Sequence, residues 1–179
     1  MSRPDNPDSL VVFQTALGWM ALIGSDDVLK RLTFAHKSAR AAIEAIEDHL
    51  RQSAARGTWN EPLVERLEAY AEGIPVDFRD VKIDPGPQTR FQRGVTNRCR
   101  RVPYGETISY GQLAAAAGSP QAARAVGNCM AANRFPLIVP CHRVIPASGR
   151  LGAFSAPGGP QTKQRLLTLE AENKSYTYK

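Results

Sequence analysis

A proline- and glycine-rich segment, DPGPQ at residues 84–88, interrupts the chain near its middle. Prolines and a glycine so close together disfavour both helix and strand, so no regular element is expected to run through this segment. The charge balance changes sign at the same place: residues 1–85 carry 10 Lys/Arg and 14 Asp/Glu, whereas residues 86–179 carry 13 and 3. We therefore predict two domains, covering residues 1–85 and 86–179.

The first domain has the pattern of strands followed by helices. The stretches LVVFQTALGWMALIG and VLKRLTFA favour strands, and the SDD between them is typical of a hairpin turn. Ser38 is a suitable N-cap for a helix whose apolar stripe runs to Leu50, and a second short helix is predicted over residues 61–70. We predict an α+β fold in which this small domain contains an antiparallel sheet and the second domain is mainly helical.

Several classes of protein are disfavoured by the composition. No apolar run approaches the roughly 18 residues needed to cross a bilayer. The N-terminal MSRPDNPDSL lacks the apolar core of a signal peptide, so we expect a cytoplasmic protein that does not bind membranes. The three cysteines, at positions 99, 129 and 141, form neither a Cys-x-x-Cys pair nor a disulfide framework. We therefore predict no metal and no cofactor.

The second domain combines a net charge of +10 with a pair of short predicted helices. The charge favours a polyanion such as nucleic acid as partner, and a solvated basic face is the alternative. Ser109 can cap a helix that ends at Gly118, and Ser119, followed by Pro120, can cap another. Two helices joined by a Gly-Ser corner are typical of a helix-turn-helix motif, with a plain helical hairpin as the alternative.

The second helix of this pair has two different faces. The side that we predict to face the core holds Ala123, Val126, Gly127 and Met130. The residues that project on the other side are Gln121, Arg124 and Asn128. Because the surrounding residues are small, such a helix can approach a nucleic-acid groove closely with one arginine in the middle of its exposed face.

The segment FPLIVPCHRVIP places Cys141 beside His142 and Arg143. Its three prolines exclude a long helix, so we expect extended or turning chain with a buried Leu-Ile-Val run. A free thiol has a pKa of about 8.5 and needs a nearby base or positive charge to become an effective nucleophile. Neighbouring side chains of extended chain diverge, so a water between Cys141 and His142 fits better than direct contact. Packing, a metal site and a nucleophile all remain open at this point.

A carboxylate on the second ring nitrogen would fix the tautomer of a histidine that acts as a base. The second domain offers three candidates, which are Glu106, Glu170 and Glu172. Glu170 lies near the end of the predicted helix TKQRLLTLEAE, which is a rigid element. We therefore predict that Glu170 orients His142.

Four segments together resemble one known family. YGETISYGQLA, ARAVGNCMAAN, PLIVPCHRVIPASGRLG and TKQRLLTLE are similar in sequence and order to the O6-alkylguanine-DNA alkyltransferases, also called methylated-DNA–protein-cysteine methyltransferases. The resemblance covers residues 90–172, and the Pro-Cys-His-Arg-Val core is its most specific part. It implies a DNA repair protein that swings the damaged guanine out through the minor groove and transfers the O6-alkyl group to a cysteine.

The resemblance also implies a role for individual residues. Cys141 would accept the alkyl group, His142 would act as base through a water, Glu170 would orient it, and Asn133 would brace the segment before the cysteine. Arg124 would fill the gap left by the extruded base, and Tyr110 would press on the 3′ phosphate. The further predicted DNA contacts are Gln121, Asn128 and Arg143. The further predicted substrate contacts are Val144 through its backbone, Ser155 near O6, and Lys163, which would aid departure of the guanine.

The implied partner is double-stranded DNA carrying O6-alkylguanine, and O4-alkylthymine is a further candidate substrate. We predict a monomer with no obligate protein partner. A thioether is not readily cleaved by water, so Cys141 would be used once. The family often has proline after the hinge asparagine, which is Asn133 here, whereas this chain has Arg134, which would add a cation near the DNA.

Three alternative functions remain: a relative that binds lesions without transfer, a helix-turn-helix regulator and a cysteine protease. Cys141 argues against the first.

Overall fold

The computed structural model describes residues 7–175, so the predictions about the N-terminal MSRPDN lie outside the described residues. The first half is built around a five-stranded sheet. Its strands are β1 (Ser9–Thr15), β2 (Gly18–Ser25), β3 (Val28–His36), β4 (Ala55–Arg56) and β5 (Lys82–Ile83). The order is β4-β1-β2-β3-β5, with β1, β2 and β3 antiparallel and the two short edge strands parallel to their neighbours. The predicted antiparallel sheet is confirmed for its three long strands.

The stretch LVVFQTALGWMALIG contains a turn that the sequence interpretation missed. It folds into β1 and β2, joined at residues 16–17, so the sheet has a hairpin here as well as at the predicted SDD. Gly18 permits this turn because its φ is +103°, and a Cβ there would lie 2.9 Å from the carbonyl oxygen of His36.

The helices of the first half are α1 (Ala39–Glu44), α2 (Asp48–Ser53) and α3 (Glu61–Ala71). Ser38 caps α1 as predicted, since its side chain accepts a hydrogen bond from the amide of Ala41. The single helix expected to reach Leu50 is wrong, because the chain turns after Ala45 and starts again as α2. The apolar stripe still reaches the core: Ile43 and Ile46 pack together against one face of the sheet.

The second half contains α4 (Arg90–Cys99), α5 (Tyr110–Ala116), α6 (Ala123–Ala131) and α7 (Pro160–Asn173), and a parallel pair β6 (Ile108–Ser109) and β7 (Val144–Ile145). Ser109 caps α5 as predicted, in a capping box with Gln112. The predicted start of α6 at Ser119 is wrong. Residues 119–122 form a separate turn, closed by a hydrogen bond from the amide of Ala122 to the carbonyl of Ser119, and α6 begins after it.

The two halves share one hydrophobic core. It includes residues of the sheet, of α3 and of every part of the second half, among them Phe34, Leu67, Val95, Leu113 and Cys141. Residues 84–89 are free of helix and strand, as expected of the predicted linker. The division into two domains itself stays a prediction. Within residues 7–175, none of the helices combines the length and the hydropathy that crossing a bilayer requires.

Candidate active site

Cys141 begins a tight turn in the middle of the shared core. The segment before it is buried, as predicted from its Leu-Ile-Val run, and Cys141–Arg143 form a turn of 3₁₀ helix, which is the turning one of the two predicted alternatives. The turn follows Pro140 and is held by a hydrogen bond from the amide of Arg143 to the carbonyl of Pro140 (2.9 Å). This turn sets the directions of the three side chains.

Asn133 holds the thiol and the chain that leads to it. Its Nδ2 donates to the carbonyl oxygen of Val139 (2.9 Å) and to Sγ of Cys141 (3.2 Å), while its Oδ1 accepts from the amide of Phe135 (3.0 Å). Burial raises the pKa of Cys141, and the hydrogen bond from Asn133 and the charge of Lys163 offset part of that rise. The resting group is therefore a neutral thiol that needs a base before it can attack.

His142 is a buried imidazole bound to a carboxylate. Its Nε2 lies 2.7 Å from Oε1 of Glu170. Because a carboxylate is an acceptor only, it holds the imidazole proton on Nε2 and leaves the lone pair on Nδ1. Nδ1 is buried without a hydrogen-bond partner within the part of the chain that the structure describes. Burial lowers the pKa of His142 and Glu170 opposes this shift, so the ring is neutral at pH 7 and able to accept a proton.

Glu170, on α7, is buried and receives hydrogen bonds from several directions. Besides His142, its donors are the guanidinium of Arg143 (2.8 to 3.2 Å), the amide of Gly105 (2.9 Å) and the hydroxyl of Tyr70 (2.6 Å). Burial by itself would raise the pKa of Glu170, but the hydrogen bond from His142 and the hydrogen bonds and charge of Arg143 hold it well below the usual range. The carboxylate is therefore ionised at neutral pH.

The predicted DNA contact of Arg143 is wrong. The 3₁₀ turn directs this side chain inward, where it is 6% exposed. Its Nε and Nη2 bind Glu170, and its Nη1 donates to the carbonyl of Val102 (2.6 Å). Arg143 thus balances a buried carboxylate, since leaving that charge unpaired would cost several kcal/mol.

Tyr70 is the residue of this cluster that sequence reasoning missed. It lies on α3 in the first half, 72 residues before His142 and 100 before Glu170. In the sequence it reads as one more member of the apolar face of α3, and no local pattern marks its hydroxyl.

A cavity of about 630 Å³ opens beside the thiol. Its wall holds the predicted substrate residues Tyr110, Ser155 and Lys163 together with Cys141, and a volume of this size suits a ligand as large as a nucleobase. A second cavity of about 370 Å³, which shares Phe154 and Ser155 with the first, also reaches Cys141. The thiol is only 5% exposed, so it faces these cavities and not the open surface.

Two predictions about the cavity wall need correction. Ala123 and Gly127, expected in the core with Val126 and Met130, line the cavity, because α6 passes over it. Val144 is fully buried and lies outside the wall of this cavity, and its carbonyl accepts a hydrogen bond from Nζ of Lys163 (2.6 Å). Its predicted backbone contact with the substrate is therefore not prepared in this structure.

The remaining predicted DNA contacts lie at the surface. Arg124 and Asn128 are exposed on α6 and also border the cavity, whereas Gln121 is exposed in the turn before that helix.

Burial lowers the pKa of Lys163, and a charge on Cys141 would raise it again. Among residues 7–175, His, Cys, Asp and Glu side chains nowhere come together in threes as a metal ion would require.

A thiol facing a cavity, with a neutral imidazole held by an ionised carboxylate next to it in the chain, defines a cysteine-dependent group-transfer protein. Comparisons with known proteins give the family. The family described as "6-O-methylguanine DNA methyltransferase, DNA binding domain" matches residues 90–172. The methylated-DNA–protein-cysteine methyltransferase of Mycolicibacterium paratuberculosis is 38% identical over 86% of this chain and 87% of its own length. The chain belongs to the methylated-DNA–protein-cysteine methyltransferase family.

Further relatives support this assignment over most of the chain. The enzyme of the same name from Methanosarcina acetivorans is 35% identical over 89% of this chain and 96% of its own. The crystal structure of Mycobacterium tuberculosis OGT in complex with DNA superposes with a TM-score of 0.77 at 35% identity, covering 92% of this chain and 94% of that one.

Proposed function

We propose that this protein repairs DNA by direct reversal, transferring the methyl or larger alkyl group from O6 of guanine to Cys141. One observation carries the proposal: the thiol of Cys141 faces a nucleobase-sized cavity whose border includes two exposed polar residues of α6, Arg124 and Asn128. The family membership and the relative crystallised with DNA support the same activity.

The reaction needs one proton transfer and one displacement. The thiol proton passes through a water to Nδ1 of His142, the ring nitrogen that has no other partner among the described residues. Sulfur then attacks the alkyl carbon, so that a carbon–sulfur bond forms as the bond from carbon to O6 breaks. The guanine leaves with the electron pair and takes up the proton that the thiol had given to His142, carried back by water, which restores its normal form and the neutral ring. The ammonium group of Lys163, in the cavity wall, would stabilise the negative charge during departure.

The product limits each molecule to one reaction. The sulfur ends as a thioether, which water does not readily cleave, in contrast to the acyl thioester of a cysteine protease. Asn133 contacts Sγ and holds the preceding chain, which would keep the sulfur in line for attack.

The damaged base would reach the thiol by leaving the DNA stack. Extrusion costs a few kcal/mol, and less for a damaged pair. We propose that Arg124 occupies the gap, that Tyr110 presses on the 3′ phosphate, and that Gln121 and Asn128 add contacts in the minor groove. In this assignment α5 and α6 form the helix-turn-helix unit. The net charge of +10 on residues 86–179 would supply affinity for phosphates without sequence preference.

Several properties remain predictions: a cytoplasmic monomer that acts without a cofactor or an obligate protein partner, and activity on O4-alkylthymine. The role of Ser155 near O6 is also proposed, supported by its position in both cavities that reach Cys141.

Mass spectrometry tests the transfer directly. The protein is mixed with a duplex carrying one O6-methylguanine, and we expect the mass of one methyl group on the peptide containing Cys141, never more than one per molecule. Cys141→Ala should bind the duplex and gain no methyl group. Cys129→Ala, which removes a half-buried thiol on α6 and leaves Cys141 in place, should react like the wild type. Binding of the duplex by the wild type without this mass increase would instead support a lesion-binding protein that does not transfer.

A further inference from the structure

Tyr70 brings a hydroxyl from the first half of the chain into the centre of the second. The side chain is fully buried, and its ring packs against Phe78 and Tyr104 with centroids 6.0 and 5.9 Å away. Its hydroxyl lies 2.6 Å from Oε1 of Glu170 and 3.2 Å from Nε2 of His142. The hydroxyl therefore touches both the carboxylate and the imidazole that it orients.

The geometry defines what this hydroxyl does. The nearby carboxylate is ionised and can only accept, so the proton of the hydroxyl points at Oε1. The phenol oxygen keeps lone pairs that face the N–H of His142. Burial and the charge of Glu170 raise the pKa of Tyr70 well above its ordinary value, so the group stays a neutral donor over the working range of pH.

We propose that Tyr70 is a positioning residue for alkyl transfer, acting through Glu170 and His142. This inference rests on the proposed function. Oε2 of Glu170 is fixed by Arg143 and by the amide of Gly105, whereas Oε1 is shared by His142, Arg143 and Tyr70. Without the hydroxyl, Oε1 is free to shift toward the guanidinium and to lengthen its bond to the imidazole. Nδ1 would then be held less firmly in the orientation that accepts the thiol proton.

Tyr70→Phe tests this role, because it removes the hydroxyl and keeps the ring. Single-turnover transfer from the methylated duplex is followed over a range of DNA concentrations and pH. We expect the maximal rate to fall about tenfold, which corresponds to about 1.4 kcal/mol. The DNA concentration that gives half the maximal rate should not change. The rise of the rate with pH should move to higher pH, because a less well-held imidazole accepts the thiol proton less readily.

Tyr104→Phe is the matched control. It removes a hydroxyl from the neighbouring ring, and that hydroxyl donates to the carbonyl of Gly73 (3.0 Å) instead of to Glu170 or His142. We expect its rate and pH profile to match the wild type. Equal rates and profiles for Tyr70→Phe and Tyr104→Phe would overturn the inference while leaving methylation of Cys141 untouched. If the wild type itself transferred no methyl group, the proposed function would fail instead.

A second variant makes the test independent of the stability of Tyr70→Phe. 3,5-Difluorotyrosine at position 70 keeps the ring and the hydroxyl, but this phenol loses its proton at lower pH. As a phenolate it cannot donate to Glu170. We therefore expect transfer by this variant to equal the wild type at low pH and to fall at alkaline pH, where the wild type stays active. The ionisation of the fluorinated ring is followed in the same samples by its ¹⁹F resonance, and activities are compared at pH values where the phenolate is present. Wild-type activity at a pH where the resonance shows the phenolate would contradict a role for the hydroxyl.

Discussion

Glu170 meets a different requirement for each of two side chains. His142 needs an acceptor that keeps its proton on Nε2 while the ring stays neutral, and Arg143 needs a full negative charge in a buried place. One ionised carboxylate serves both, since each of its oxygens has room for more than one donor. The cost of burying the ion pair is offset only because nearly every lone pair is used.

Glu170→Gln should therefore affect both stability and transfer. The amide cannot balance the buried guanidinium of Arg143, and breaking a buried ion pair costs about 3–5 kcal/mol. We expect the free energy of unfolding in urea to fall by about that amount, and transfer to Cys141 to become undetectable in the fraction that remains folded. Glu172→Gln, an exposed change two residues further along α7, should leave both quantities unchanged. A loss of transfer without a loss of stability would mean that Arg143 finds another partner.

At the scale of the elements, the sequence predicted local structure well where the residues that carry the signal also make the hydrogen bonds of the structure. The N-cap Ser109 is an example, because the residue that predicts the start of α5 also accepts a hydrogen bond from the amide of Gln112. Ser119 has the same chemistry, yet the helix after it starts three residues past the first predicted helical position, Pro120. Residues 119–122 form a turn closed by the hydrogen bond from the amide of Ala122 to the carbonyl of Ser119, and α6 begins only after it.

A substitution of Arg124 on α6 should slow transfer from duplex DNA without slowing transfer from the free base. If Arg124 fills the gap left by an extruded base, Arg124→Ala removes the side chain that offsets part of the cost of extrusion, which is a few kcal/mol. We expect transfer from duplex DNA to slow by roughly tenfold or more, and reaction with the free O6-methylguanine base to stay within about twofold of the wild type, since each tenfold corresponds to about 1.4 kcal/mol. Arg98→Ala, which removes the same charge from the exposed face of α4, controls for the loss of a cation. Equal losses on both substrates would exclude the gap-filling role.

For the whole molecule, the contacts between its halves were the part that the sequence predicted least. Cys141, His142 and Glu170 could be found because they lie in one half and carry recognisable chemistry. Tyr70 could not, because its hydroxyl acquires a partner only when α3 packs on α7. Arg134 is a similar case. It was expected near the DNA, but its Nε lies 3.4 Å from Oε1 of Glu47, in the first half.

An ion network of Arg31, Glu47 and Arg134 joins the halves directly after Asn133. Nε of Arg31 lies 2.9 Å from Oε2 of Glu47, and Nη1 of Arg31 donates to the carbonyl of Arg134 (2.9 Å). The same carbonyl accepts the amide of Leu32 on β3 (3.1 Å). The side chain of Arg134 therefore adds an ion pair to the connection that its backbone carbonyl makes across the two halves.

Glu47→Gln should loosen this connection more than it destabilises the fold. The carboxylate is partly exposed, and pairs of that kind contribute about 0.2–1 kcal/mol each, so the free energy of unfolding should fall by no more than about 2 kcal/mol. Hydrogen exchange of the Leu32 amide should become faster, because its acceptor is the carbonyl of Arg134, whose side chain is no longer held by Glu47. Glu44→Gln breaks an exposed pair with Arg40 within α1 and should leave that amide unchanged. Equal exchange in both variants would show that packing alone holds residues 133–134 against β3, and that the Arg134 side chain adds no connection between the halves.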